Sequence, residues 1–256
     1  MSTPTVRVVV ALDPAAPRDE PFEALAALLD PERIEVTALF VEDDNLARLA
    51  ALPGAQEVRW GPAPRRAALD SASLQQQLSR RAERIKRTCE RAAERLRLRI
   101  DHFLVRRGEV LAELEQAARE AELLVVGRSL HSAASRSWLG AGPERLGTAL
   151  GGQGAPRGVL FVHEPWRTGS SVLTVDDGTR SGERARSLAS ALAETERLPL
   201  RTFDARGAKP RPEVLARACA ETDARVLVIP RTTLGRDPEA VAALVTELPA
   251  SVLLTR

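Results

Sequence analysis

The sequence is poor in cysteine, lysine and aromatic residues, and it contains no long apolar run. Its two cysteines, Cys89 and Cys219, lie far apart and in no metal-binding or redox spacing, which argues against a disulfide framework and fits a reducing compartment. Tyrosine is absent, and lysine occurs only at positions 86 and 209. No apolar run approaches the roughly 20 residues that span a bilayer, and the N-terminus has no small-residue cleavage site. We therefore expect a cytoplasmic protein that is not embedded in a membrane.

The composition is otherwise that of an ordinary folded protein. The 256 residues are 44% hydrophobic and 28% charged, with a net charge of +2. This length suits one large or two small domains, each able to bury its own core. Two domains are the better expectation.

Short apolar runs alternate with helical patterns in the first part of the chain. The runs are rich in β-branched residues and bounded by helix breakers, which is typical of buried parallel strands. The predicted strands are Val6 to Leu12, Ile34 to Val41, Ile100 to Arg106, Leu123 to Val126 and Gly158 to Val162. The predicted helices are Pro21 to Leu29, Ser73 to Leu98 and Val110 to Ala121. This alternation predicts a doubly wound, Rossmann-like α/β unit.

A shorter unit follows a break between His163 and Gly169. Its predicted strands are Val172 to Val175, Leu198 to Phe203, Val226 to Ile229 and Val252 to Leu254, with helices at Arg180 to Glu196, Pro212 to Glu221 and Pro238 to Glu247. We predict two domains, residues 1–165 and residues 170–256.

An internal repeat supports this division. The segment from Val110-Leu111-Ala112 to Leu124-Val125-Val126 corresponds, with one deletion, to the segment from Val214-Leu215-Ala216 to Leu227-Val228-Ile229. Arg107-Gly108 is likewise echoed by Arg206-Gly207. The second copy lacks counterparts of strand two and of the long arginine-rich helix, which indicates duplication followed by loss.

The segment after Val126 carries the spacing of a phosphate-binding loop. It begins Gly127-Arg128-Ser129-Leu130, continues for nine residues and ends Gly140-Ala141. Here the chain resembles the universal stress protein family, whose ATP-binding members carry glycine, two residues, glycine, nine residues, glycine, then serine or threonine. Leu130 and Ala141 replace two of these residue types. Leucine lacks the backbone freedom of glycine, and alanine lacks the hydroxyl that would donate to phosphate.

The resemblance implies tandem domains of the adenine-nucleotide α-hydrolase-like kind and a nucleotide site in the first domain. Asp13 and Val41 would lie toward the base and ribose, while Gly127, Arg128, Gly140 and Ala141 would surround the phosphates. ATP or AMP is the expected ligand, and no other cofactor is implied. The alternative for this loop is a glycine-containing connection without a ligand.

In the second domain Asp176 or Asp177 could match Asp13. Pro230, Thr233 and the missing glycine-serine pair remove the phosphate loop, so we expect no nucleotide there. The resemblance also implies that the two domains pair through residues 159–162 and 252–254, covering two sheet edges. A homodimer is a further expectation.

Other chemistries find little support. His131 lies among serines but outside a Gly-x-Ser-x-Gly elbow, and His102 and His163 are isolated, so we expect neither catalytic residues nor a metal. The arginines of residues 73–99 alternate with glutamates and lack aromatic neighbours, so a solvated helix face is favoured over nucleic-acid binding. The sequence thus predicts a non-enzymatic stress-response regulator. The alternative is a protein-interaction module that has lost nucleotide binding.

Overall fold

The structure is a computed structural model that describes residues 5–12, 19–59, 65–68, 71–127, 157–163, 165–166, 168–234 and 238–256. Its centre is a nine-stranded sheet in the order β5-β2-β1-β6-β7-β11-β10-β8-β9, with helices on both faces. The strands of this sheet are β1 Val6–Ala11, β2 Ile34–Asp43, β5 Ile100–Gly108, β6 Leu123–Gly127, β7 Gly158–Val162, β8 Ser171–Asp176, β9 Leu200–Asp204, β10 Ala224–Pro230 and β11 Ser251–Thr255. The predicted α/β class is confirmed.

Eight α-helices lie in the described ranges. They are α1 Glu20–Leu28, α2 Asp44–Ala50, α3 Ser71–Arg95, α4 Val110–Glu120, α5 Arg180–Glu196, α6 Pro212–Glu221, α7 Arg231–Leu234 and α8 Pro238–Glu247, and a 3-10 turn spans Pro31–Arg33. None of these helices is both long and apolar enough to cross a membrane. Helices α1, α3 and α5 pack on one face of the sheet, whereas α4, α6 and α8 pack on the other.

All neighbouring strands of the large sheet are parallel except β7 and β11. These two pair antiparallel, with Leu160 opposite Leu253 and Val159 opposite Leu254. The strand pairing that the resemblance implied is therefore present. This pair joins two half-sheets, β5-β2-β1-β6-β7 and β11-β10-β8-β9. Without it, β7 and β11 would each be an edge strand with unpaired backbone N–H and C=O groups.

The hydrophobic cores on both faces of the sheet continue across the β7–β11 pair, which we call the seam. One face combines Leu124 and Val126 with Leu227 and Leu254, and the other combines residues such as Val125 with residues of β8 and β10. The connection between the two half-sheets is itself anchored, since Trp166 is buried at 2% exposure. The division into residues 1–165 and 170–256 stays a prediction, because a continuous sheet does not reveal whether either half folds alone.

The ends of α3 and α5 share one geometry. In α3 the N–H of Leu98 donates to the carbonyl of Ala93 at 2.8 Å, and Arg97 is left-handed at φ 57°. In α5 the N–H of Leu198 donates to Ala193 at 2.8 Å, and Arg197 is left-handed at φ 55°. Both closures are Schellman-type ends. They explain why α3 ends at Arg95 rather than at the predicted Leu98.

Strand β9 lies beside β8 in the position that β2 holds beside β1. The repeat, with a second copy that lacks counterparts of strand two and of α3, stays a prediction.

The segment between β2 and α3 was not predicted. It forms α2 and an antiparallel pair of strands, β3 Gln56–Arg59 and β4 Arg65–Ala68. These strands are short and polar, so neither a periodic pattern nor an apolar run marked them in the sequence.

Candidate functional site

The strand order of the first half reverses between β1 and β6. From β1 the chain runs outward through β2 to β5 on one side, and it then crosses back to β6 on the other side of β1. In open α/β sheets ligands bind beyond the carboxyl ends of the strands at such a switch point. The candidate site is therefore the crevice beyond Ala11, the last residue of β1.

Among the described residues, strand β1 ends before β2 does, and we call the position beyond it, between the ends of β2 and β6, the notch. Ala11 is level with Leu39 of β2 and with Val126 of β6. Strand β2 continues to Asp43 and β6 to Gly127. Val41 and Gly127 thus lie on the two strands that flank β1, and their shared role in a site stays a prediction.

Val41 faces the notch with its backbone and not with its side chain. Its side chain is 3% exposed and belongs to the core. The carbonyl of Leu39 accepts a hydrogen bond of 2.9 Å from the N–H of Leu12. Alternate residues of a strand direct their backbone groups to the same side, so the N–H and C=O of Val41 point past the end of β1. A donor and an acceptor in this position suit the edge of a planar heterocycle.

The remaining predicted site residues, Asp13, Arg128, Gly140 and Ala141, lie outside the described residues. Their roles stay predictions.

An ion pair between a buried carboxylate and an exposed arginine joins the end of β2, next to Val41, to β5, and sequence reasoning missed it. Glu42 is 6% exposed, and its Oε2 accepts a hydrogen bond of 3.0 Å from Nη2 of Arg107 on β5. Arg107 also donates to the side chain of Gln75 in the first turn of α3. These contacts join β2, β5 and α3 immediately beside the crevice. Residues 42 and 107 directly follow two predicted strands, which was the signal available in the sequence.

The second half has its own switch point between β8 and β10, and its carboxylate is already engaged. One carboxylate oxygen of Asp177 accepts hydrogen bonds from the N–H of Thr179 at 3.0 Å and from its hydroxyl at 2.6 Å. The other accepts from the hydroxyls of Thr233 at 2.9 Å and Thr232 at 3.3 Å. Both threonines belong to α7, which follows β10 directly. These internal contacts favour the expectation that no nucleotide binds there.

The electrostatics of Asp177 agree with its contacts. Burial alone would raise the pKa of Asp177, but the hydrogen bonds from Thr179, Thr233 and Thr232 outweigh it and hold the pKa below its ordinary value. The close packing of the Asp177 carboxylate against the first turn of α5 also depends on Gly182, because a Cβ atom at position 182 would lie 2.4 Å from Oδ1 of Asp177.

Neither thiol is suited to nucleophilic chemistry. Burial raises the pKa of Cys219 to about 12. Burial, together with the charges of Asp19 and Glu90, raises the pKa of Cys89 to about 12 as well. Both cysteines are free, and a thiol that stays protonated is a poor nucleophile and metal ligand. Across the described ranges, no three histidine, cysteine or carboxylate side chains are grouped to hold a metal ion.

A cavity of about 230 Å³ lies on the sheet face beside α4, near the amino ends of β1 and β2. Its walls include Thr37, Leu39 and Arg106, and Nε2 of His102 lies 3.3 Å from Oε1 of Glu35 at its rim. The cavity is open beside the sheet and contains neither Val41 nor Gly127. It is not the crevice that the topology indicates.

No protein-family model and no curated protein matches the chain. The solved structures do contain similar folds. A universal stress protein from Archaeoglobus fulgidus is 12% identical, with 99% of this chain and 97% of that chain covered at a TM-score of 0.63. A functionally unknown protein from Pseudomonas aeruginosa is 11% identical over 98% of this chain and 92% of that chain, at a TM-score of 0.49.

The cytoplasmic domain of a prokaryotic cation chloride cotransporter is 12% identical over 98% of this chain and 95% of that chain, at a TM-score of 0.44. The latter two scores are too low to carry an argument. The similarity to the universal stress protein shows the fold: a mostly parallel, Rossmann-type sheet flanked by helices.

Proposed function

We propose that the protein is a non-enzymatic regulator of the universal stress protein type, with two tandem domains that pack as an internal pair. We further propose that the crevice of the first half binds ATP or AMP weakly. The observation that supports the proposal is the strand arrangement at the switch point, where β2 with Val41 and the end of β6 flank the carboxyl end of β1.

Weak rather than tight binding follows from the loop. Leu130 cannot take the backbone conformations of glycine without strain of about 1 kcal/mol or more. Ala141 has no hydroxyl to donate to a phosphate oxygen. Arg128 could restore part of the lost attraction, because a guanidinium binds phosphate with two parallel hydrogen bonds.

The experiment is a titration with ATP and with AMP, followed by thermal unfolding. A ligand that binds only the native state raises its stability, by about 2.7 kcal/mol at a concentration of 100 times Kd. We expect Asp13→Asn to abolish the shift in melting temperature. Asp177→Asn changes the corresponding carboxylate of the second half and is the matched control, so it should keep the wild-type shift.

The same samples test the non-enzymatic role. We expect no turnover of ATP above background. Turnover that disappears in Asp13→Ala would replace the proposal with an enzyme of the related adenine-nucleotide α-hydrolase kind.

A second function, an interaction module without nucleotide, is favoured by the two replaced motif residues, Leu130 and Ala141. An unchanged melting temperature at millimolar ATP and AMP would support this module and remove the nucleotide site. An equal shift in wild type and Asp13→Asn would place the nucleotide elsewhere in the protein.

A further inference from the structure

The outer face of α3 carries a stripe of four arginines. Arg80, Arg84, Arg87 and Arg91 are all exposed and follow one another at intervals of four, three and four residues. At about 1.5 Å per residue the stripe is about 16 Å long, and at 3.6 residues per turn its members lie within about 60° of one another. The opposite side of the helix is buried against the sheet through Leu78, Ala82, Ile85, Cys89 and Ala92.

The stripe is not neutralised within the described part of the chain. Arg80, Arg84 and Arg91 form no ion pair there, and Nε of Arg87 donates to the backbone carbonyl of Glu83 at 3.3 Å rather than to its carboxylate. The cations beside the stripe differ, since Lys86 pairs with Glu90 at 4.0 Å and Arg95 pairs with Asp19.

The arginines of the stripe repel one another. Like charges three or four residues apart on a helix repel each other by about 0.2 to 0.5 kcal/mol for each pair. The stripe contains three such successive pairs, and Glu83, Glu90 and Glu94, at the same spacings from Arg80, Arg87 and Arg91, offset only part of this repulsion because none of them forms an ion pair with the stripe among the described residues. A partner that brings matching negative charges would remove this repulsion and add charge-assisted hydrogen bonds.

The border of the stripe limits the shape of that partner. Glu83, Glu90 and Glu94 lie along one side of it, within about 100° of its centre. A wide anionic surface, such as a bilayer or a nucleic-acid duplex, would meet these carboxylates as well as the arginines. The helix also has no aromatic residue on which a base could stack. A narrow row of carboxylates fits the stripe better.

We propose that Arg80, Arg84, Arg87 and Arg91 form a docking surface for an acidic helical segment of another protein, with carboxylates at the same four-three-four spacing. This surface lies outside the crevice beyond β1, so it does not depend on nucleotide binding.

Two labelled peptides of about 18 residues, or five helical turns, test the proposal. The first is alanine-rich with four glutamates at the four-three-four spacing. The second has the same composition, but its glutamates lie five residues apart and therefore point to different sides. Binding is followed by fluorescence anisotropy at about 50 mM salt, where surface charges are little screened.

Two protein variants complete the design. R80Q/R84Q/R87Q/R91Q removes the stripe and keeps residues of high helix propensity. R119Q/R180Q/R184Q/R211Q removes four other exposed arginines and the same total charge. Circular dichroism and thermal melting establish that each variant is folded.

We expect the spaced peptide to bind wild type and the control variant equally, and the stripe variant about tenfold more weakly, because several weak surface pairs are lost together. The dispersed peptide should bind wild type about as weakly as the spaced peptide binds the stripe variant. Equal binding of both peptides, an equal loss in both variants, or no binding at millimolar peptide would each refute the proposal.

A duplex DNA of about 20 base pairs and phosphatidylserine vesicles are tested in parallel. If the duplex binds more tightly than the spaced peptide, and the stripe variant lowers the salt slope of its binding by about four, the surface belongs to nucleic acid and the proposal fails. Tighter, stripe-dependent binding to the vesicles would overturn it in favour of a membrane surface.

Discussion

The carboxylate of Asp177 accepts a hydrogen bond of 2.9 Å from the hydroxyl of Thr233, which ties the end of β8 to the helix that follows β10. These two positions flank the switch point of the second half, where a related site would hold its ligand. The second half thus engages this carboxylate in contacts of its own.

The first prediction concerns the pH dependence of this contact. Since the folded state lowers the pKa of Asp177, the contact stabilises the protein above the unfolded pKa of about 3.9 and is lost as the pH falls through the lower, folded value. Asp177→Asn should therefore lower the free energy of unfolding at pH 7 by about 1 kcal/mol, a figure reduced for solvent screening. The difference from wild type should shrink below about pH 4.

The measurement is urea unfolding at a series of pH values. Glu221→Gln serves as control, because the ion pair of Glu221 with Arg217 is largely exposed at 61% and 81% and should contribute about 0 to 0.5 kcal/mol. A difference between wild type and Asp177→Asn that stays constant down to pH 2 would mean that the ionised carboxylate is not what stabilises this site.

The second prediction concerns Gly182 in the first turn of α5. Alanine in place of glycine ordinarily stabilises a helix by about 1 kcal/mol. Here the added Cβ would lie 2.4 Å from Oδ1 of Asp177, so Gly182→Ala should instead destabilise the protein by about 1 to 3 kcal/mol.

A double mutant separates the clash from other effects of this substitution. In the Asp177→Ala background the obstructing oxygen is gone, and Gly182→Ala should become neutral or stabilising. Ser187→Ala, at an exposed position of the same helix, should stabilise slightly in both backgrounds. The same cost for Gly182→Ala with and without Asp177 would contradict the assigned contact.

Most strands of the large sheet could be predicted from the sequence because they are short apolar runs buried on both faces, as in Val172 to Val175, whereas β5 and β9 are only partly buried. The β7–β11 seam followed from the family resemblance, since no local pattern specifies which edges meet. The contacts Glu42–Arg107 and Asp177–Thr233 could not be predicted from the sequence. They join residues 65 and 56 positions apart, and a charged or hydroxyl side chain at a strand end serves equally as cap, ligand or solvated group.

The third prediction concerns Glu42 and Arg107 beside the crevice. Glu42 has a side chain that is 7% exposed, whereas the Arg107 side chain is 46% exposed. Removing the arginine leaves a buried carboxylate without its cation, so Arg107→Ala should cost about 1 to 3 kcal/mol. Glu42→Gln should cost less, because the amide oxygen can still accept from Arg107 without a buried charge. Chemical unfolding of both single mutants and of the double mutant gives the coupling energy, and additive effects would mean that the pair does not interact.

The fourth prediction concerns the seam itself. Leu160 on β7 is fully buried and lies opposite Leu253 of β11, so Leu160→Ala should cost about 2 to 5 kcal/mol. Leu188, which is 47% exposed on α5, is the control, and Leu188→Ala should change stability by about 0.5 kcal/mol or less.

Because the cores on both faces continue across the seam, wild type should unfold in one calorimetric transition whose van't Hoff and calorimetric enthalpies agree. Leu160→Ala should lower that single transition as a whole. If instead two transitions appear and only one responds to Leu160→Ala, the half-sheets are independent folding units, and the continuous sheet contributes little to their mutual stability.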